Sequence, residues 1–129
     1  MSNLLDKGNA QYIALETFKK NGQAVNTPVW VIHDGTRLLA VTSGKSWKAK
    51  RIRNNPRVRV AESDSQGNPQ SEFVEGVARI LDDEAAVNAQ WQRIYKKYGL
   101  LARAFKFFGR IRGDADDQVV IEITELTVA

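Results

Sequence analysis

Asn21-Gly22 falls between two runs of β-forming residues, and that placement constrains this chain more than any other local feature. Residues 10–18 are rich in β-formers, and residues 25–33, Val-Asn-Thr-Pro-Val-Trp-Val-Ile-His, read as a second strand. Asn-Gly between such runs signals a tight hairpin turn. Asp34-Gly35 supplies the next turn, and residues 37–42 a third strand. Three strands joined this closely form an antiparallel meander, not a unit with a helical crossover. Pro28 has no N–H to give to a ladder, so it belongs at a sheet edge, a bulge or the beginning of its strand.

Residues 43–55 read as a loop feeding one short helix. Trp47, Lys48, Arg51 and Ile52 fall at helical spacing, and Ser43 or Ser46 caps the start. Asn54-Asn55-Pro56 ends the helix, because the residue before a proline avoids the helical region. Residues 57–63 alternate Arg and Val, which predicts a fourth strand with Val58 and Val60 on one face and Arg57 and Arg59 on the other. Turn-formers at 64–69 lead into a fifth strand, 72–81, where Gly76 marks a bulge or the close approach of another backbone. Asp82, Asp83 and Glu84 open a longer helix, with acids at the end its dipole favours. Val87, Trp91, Ile94, Tyr95 and Tyr98 form its apolar stripe. Gly99 interrupts it, residues 100–108 continue as a second helix, residues 109–117 form a loop, and residues 118–126 form the last strand. Six strands with helical insertions point to a closed or partly closed antiparallel barrel, which removes the edges that many short strands would expose. With 129 residues and no repeat or linker, residues 1–129 make one domain.

Charge is where function enters. From Gly35 to Ala61 there is no acid but eight cations: Arg37, Lys45, Lys48, Lys50, Arg51, Arg53, Arg57 and Arg59. The whole chain is only +4, so the rest nets −4 and the positive charge is local. Within this segment Thr42, Ser43, Gly44, Lys45 and Ser46 follow a strand end and precede a helix start. Backbone N–H groups and lysines in that order favour a phosphate or a similar anion. The G-x-x-x-x-G-K-[ST] spacing of a Walker loop is absent. The alternative is a solvated basic helix. Trp30 and Trp47 could flank a flat ring or pack in a core. Thr27-Pro28-Val29 could offer backbone groups to a planar ligand or simply guard an edge.

Other chemistry has little to work with. There is no cysteine and one histidine, His33, so a zinc site or a Ser-His-Asp triad lacks material. His33 beside a turn reads as a surface residue. Asp82-Asp83 and Asp116-Asp117 read as cap and loop residues. No apolar run approaches a membrane span, and the N-terminus lacks a signal-peptide core, so we expect a cytoplasmic protein. A second acid-free stretch, Ala85 to Gly113, carries Arg93, Lys96, Lys97, Arg103, Lys106, Arg110 and Arg112 with Phe105, Phe107 and Phe108. It reads as an amphipathic segment packed on the barrel or on a second subunit, in preference to an interfacial membrane helix.

Taken together, Thr27-Pro28-Val29, Asp34-Gly35, Thr42, the run Trp47–Pro56 and Val74-Glu75-Gly76-Val77-Ala78-Arg79 resemble the pyridoxamine 5′-phosphate oxidase-like split-barrel proteins that bind flavins or deazaflavins. The similarity is greatest to the small deazaflavin-dependent actinobacterial branch and runs from about Tyr12 to Leu81, weakly over the last strand. The resemblance implies a six-stranded split barrel, a homodimer with two cofactor sites at its interface, and either coenzyme F420 or FMN. It implies that the strand bearing Thr27, Pro28 and Val29 lies against the cofactor ring. Thr42, Ser43, Ser46, Trp47, Lys48 and Lys50 would hold the phosphate, Lys48 foremost, with Arg51 and Arg53 extending the positive surface. F420 suits eight cations better than FMN does, because it carries a phosphodiester and an oligoglutamate tail. The implied activity is hydride transfer to a small unsaturated or conjugated substrate, with no dedicated side-chain catalyst because the cofactor carries the chemistry. No signature of a pyridoxamine phosphate substrate site stands out. The alternatives are an FMN-dependent oxidoreductase, a non-catalytic cofactor or haem binder using His33, and salt-sensitive nucleic-acid binding. We expect neither nucleic acid nor a membrane span.

Overall fold

The computed structural model describes residues 4–34, 36–99 and 118–125. A short 3-10 helix, Leu5–Asn9, precedes β1 (Tyr12–Phe18), β2 (Ala24–Trp30), β3 (Ile32–His33), β4 (Leu38–Ser43), α1 (Trp47–Asn54), β5 (Arg57–Ser63), β6 (Val74–Leu81), α2 (Glu84–Tyr98) and β7 (Gln118–Glu125). The strands pair antiparallel in the order β2-β1-β5-β6-β7-β4-β3. The Asn21-Gly22 turn forms as expected, with Gly22 at φ 87° and its N–H donating to the Lys19 carbonyl at 2.9 Å.

The strand expected over 25–33 is broken at Val31, which gives seven strand segments among the described residues where six were expected. The reason is geometric. Residues up to Trp30 pair with β1, from Phe18↔Ala24 to Tyr12↔Trp30, whereas Ile32 and His33 pair with β4 at the opposite end of the sheet. One stretch of backbone thus serves both edges, and only Val31 lies between them. The sheet curls back on itself as a split barrel. Pro28 lies mid-strand in β2, an edge strand, where a missing N–H is tolerated.

A break in a ladder leaves backbone groups that need partners. The end of α2 supplies them. The Val31 N–H donates to the Tyr98 hydroxyl oxygen at 3.0 Å, and that hydroxyl lies 2.7 Å from the Gln11 carbonyl and 3.0 Å from the Val31 carbonyl. Burial pushes the Tyr98 phenol up to about 12, so it remains a donor at neutral pH. Lys97 has an exposed stem, but its ammonium turns inward onto the carbonyls of Gly8, Ala10 and Val31 at 2.8, 2.6 and 2.7 Å. The Trp30 ring stacks on Tyr98 with centroids 4.4 Å apart.

The strands alternate as their register demands. Leu15, Val29, Leu38, Val60, Ile121 and Ile123 fill the barrel interior. On the outside, Val87, Trp91 and Ile94 of α2 pack on Ile32, Leu39 and Val120. The barrel ends are covered by short elements. Leu4, fully buried, joins the interior cluster beside Gly76 at one end, and α1 inserts Ile52 into it at the other. Gly76 marks a close backbone approach, since a Cβ there would sit 2.9 Å from the Thr124 carbonyl. The second helix and loop expected over 100–117 lie outside the described residues. Among the described residues no helix is long and apolar enough to cross a membrane.

If the α2 terminus holds the broken strand, Lys97→Met leaves three carbonyls without their shared donor. We expect this variant to lose about 1–2 kcal/mol of stability in urea unfolding, the lower part of the range for bonds to a charged group because the stem is solvated. An unchanged midpoint would contradict that role.

Candidate anion-binding site

The site begins where β4 ends. Thr42 shares the inward face of Leu38 and Ala40, so it stands at the barrel mouth that α1 covers. Ser43 ends the strand opposite Gln118, and its carbonyl accepts the Ser46 N–H at 3.1 Å, closing a tight turn. The Ser43 hydroxyl accepts the Lys45 N–H at 3.2 Å. Ser46, not Ser43, caps α1: its hydroxyl accepts the Ala49 N–H at 3.2 Å. That cap leaves the N–H groups of Trp47 and Lys48 to other partners. The helix carries no acid in its first turn, and Ala49 and Ile52 are its buried anchors.

The eight cations of the segment separate once their partners are known. Arg57 pairs with Glu75 at 3.3 Å, Arg59 with Glu16 at 2.5 Å, and Arg37 with both Asp34 and Glu122. Arg53 donates to the Gly44 carbonyl at 2.7 Å and so ties the helix to its own approach turn. Lys50 lies over the Trp47 ring, 4.6 Å from its centroid, on the solvent side of α1. Lys45 stands exposed in the turn before α1, which leaves Lys48 and Arg51. They stand at i and i+3 on one face of α1, and among the described residues no carboxylate pairs with either. Burial, and secondarily the charge of Arg51, holds the Lys48 ammonium below its ordinary range. Burial holds the Arg51 guanidinium down as well. Two adjacent, partly desolvated cations without a counter-charge carry an unfavourable term that an incoming anion relieves.

Other expected site residues lie elsewhere. Thr27 and Val29 point into the barrel and Pro28 out of it, so only the backbone of this strand runs along an edge. The Val29 side chain belongs to the core. Trp47 is 72% exposed, while Trp30 is engaged with Tyr98. His33 is at the opposite end of β4, with its ring against Gly8. Sequence reasoning missed Thr17 on β1, whose buried hydroxyl accepts from the Arg51 Nε at 2.6 Å. No local pattern announces this contact across 34 residues. Two open grooves flank α1: one of about 350 Å³ lined by Phe18, Asn55, Arg57, Val58, Arg59 and Glu75, the other of about 330 Å³ along Ile52, Arg53, Ala78, Arg79, Ile80 and Asp82. Neither is lined by Lys48.

The coupling of Lys48 to Arg51 and to an anion has a sign. Arg51→Gln removes the like charge and raises the Lys48 pKa, though desolvation keeps it below the ordinary value. Inorganic phosphate should raise the wild-type Lys48 pKa as well. NMR titration of lysine labelled at Cε measures both, and a Lys48 signal indifferent to phosphate would contradict an anion site.

A family model described as pyridoxamine 5′-phosphate oxidase matches residues 7–128. No curated protein sequence matches this chain. Several solved structures share its fold. A conserved hypothetical protein from Mycobacterium tuberculosis is 22% identical, covering 98% of this chain and 82% of its own, with a TM-score of 0.71. A protein named F420 reductase is 19% identical, covering 98% and 95%, with a TM-score of 0.61. The haem storage protein HutZ from Vibrio cholerae is 11% identical, covering 99% and 93%, with a TM-score of 0.67. At these identities the likeness is one of fold alone.

Proposed function

The chain belongs to the pyridoxamine 5′-phosphate oxidase family, and from that membership we propose that it binds coenzyme F420 and transfers a hydride between it and a small unsaturated or conjugated substrate. The observation that carries this reading is the desolvated pair Lys48 and Arg51, which among the described residues lacks a carboxylate although most arginines around it have one or another fixed partner. A phosphate-bearing cofactor supplies the missing charge.

In this reading Thr42, Ser43, Ser46, Lys48 and Arg51 hold the phosphate, and the edge backbone of Thr27, Pro28 and Val29 meets the ring. Trp47 and Lys50, exposed beside the cradle, meet the more distal anionic part of the ligand. F420 fits a cradle of several cations better than FMN, which presents one terminal phosphate. FMN on the same site is the second reading, supported by the single closely spaced pair Lys48 and Arg51. When bound, the cofactor supplies the two-electron chemistry. The protein binds it, orients it and limits the access of water, so no side chain needs to act as an acid or base. A homodimer, with the substrate in the cleft between subunits, completes the proposal.

The test is a parallel fluorescence titration of the apo-protein with F420 and with FMN. We expect F420 to bind, and Lys48→Ala to weaken it at least about tenfold, the scale of one lost charge-assisted hydrogen bond. Binding of FMN alone would keep the site and replace the cofactor. Binding of neither would overturn the proposal.

A further inference from the structure

An arginine that grips an anion needs its guanidinium plane held in place, because a free side chain gives up much rotamer entropy on binding. Arg51 has such a hold. Its Nε donates to the Thr17 hydroxyl at 2.6 Å, and Thr17 is fully buried at the α1 end of β1. Thr17 shares the inward face of Ile13 and Leu15, so its hydroxyl is fixed by a strand that pairs on both sides. A bond through Nε occupies the inner edge of the guanidinium and leaves the two terminal nitrogens, the fork that matches a phosphate with two parallel bonds. Among the described residues no carboxylate takes that fork. A threonine oxygen is also neutral: it orients the arginine without cancelling the charge, as a carboxylate would.

We propose that Thr17 is a positioning residue, whose hydroxyl orients the Arg51 guanidinium so that its terminal nitrogens receive the anion beside Lys48. This rests on the anion-site reading above. It places part of that site's specificity on β1, a strand outside the basic segment.

Calorimetric titration with inorganic pyrophosphate tests it on the full chain. We expect Thr17→Val, nearly equal in volume, to weaken binding about threefold to tenfold, the effect of one oriented hydrogen bond to a charged group. Thr17→Ser should restore wild-type binding to within about twofold, because it returns the oxygen. Arg51→Lys keeps the charge but has no Nε, and adding Thr17→Val to it should cost nothing more, since residues acting through one bond are not additive. Thr17→Ala removes the same oxygen and replaces Thr17→Val if that variant fails to fold. Wild-type binding by the Thr17 variants while Lys48→Ala binds poorly would overturn the role of Thr17 and leave the anion site standing. Additive losses, or no rescue by serine, would also overturn it, by showing that Thr17 acts through packing. Unchanged binding in Lys48→Ala as well would remove the anion site itself.

Discussion

The barrel depends on one stretch of backbone serving two edges. Ala24–Trp30 completes the sheet beside β1, and two residues later Ile32 and His33 complete it beside β4. A sheet can close this way only if the strand changes partner sharply, and a sharp change strands peptide groups at the break. Val31 is that point. Its N–H and carbonyl are taken up by Tyr98, and its carbonyl by Lys97 as well. The last turn of α2 is therefore part of the closure, and the Trp30–Tyr98 stack fixes it from the side. The apolar stripe of α2 explains why the helix lies on this face. Gly99, at φ 61°, ends it, and its last two side chains meet the break.

Closure creates two mouths, and the connection from β4 to β5 must cross one of them. A helix of eight residues does so, sinking Ala49 and Ile52 into the mouth. That anchoring decides the fate of the charges. On an α-helix, residue 48 flanks the buried stripe of Ala49 and Ile52, and Arg51, on the same side of the helix as Lys48, is drawn against β1 by Thr17, so both are partly out of water while Lys50 stays in it. Elsewhere on the barrel the arginines meet Glu16, Glu75, Asp34 and Glu122. Lys48 and Arg51 are thus desolvated without a counter-charge among the described residues, beside a turn of small hydroxyl residues, whereas the desolvated Lys97 ammonium is taken up by three carbonyls. The fold bears this locally unfavourable arrangement, which is the arrangement expected of a site built for an anion.

Features set by short-range chemistry were legible in the sequence. The Asn21-Gly22 turn, the alternation of β5, the stop at Asn55-Pro56 and the stripe of α2 each depend on neighbours within a few residues, and the barrel followed from their number and order. The break at Val31 was not legible, because it arises only when both neighbouring strands are in place. The charge of the cradle was visible, but its distribution was not. Glu75, Glu16 and Glu122 reach Arg57, Arg59 and Arg37 from 18, 43 and 85 residues away, and Thr17 reaches Arg51 from 34. Eight equivalent cations in the sequence thus become two distinctive ones in the fold. Trp47, attractive in sequence as one wall of a ring site, stands largely in solvent with Lys50 over it.

The central claim is that the missing counter-charge of Lys48 and Arg51 is the phosphate of a flavin-type cofactor. The most direct measurement is a crystal structure of the protein grown with F420. A phosphate oxygen is expected within hydrogen-bonding distance of the Lys48 ammonium and of a terminal Arg51 nitrogen, with the Arg51 Nε still on Thr17. A cofactor phosphate seated elsewhere, for instance in the groove between Phe18 and Glu75, with Lys48 and Arg51 untouched, would contradict it.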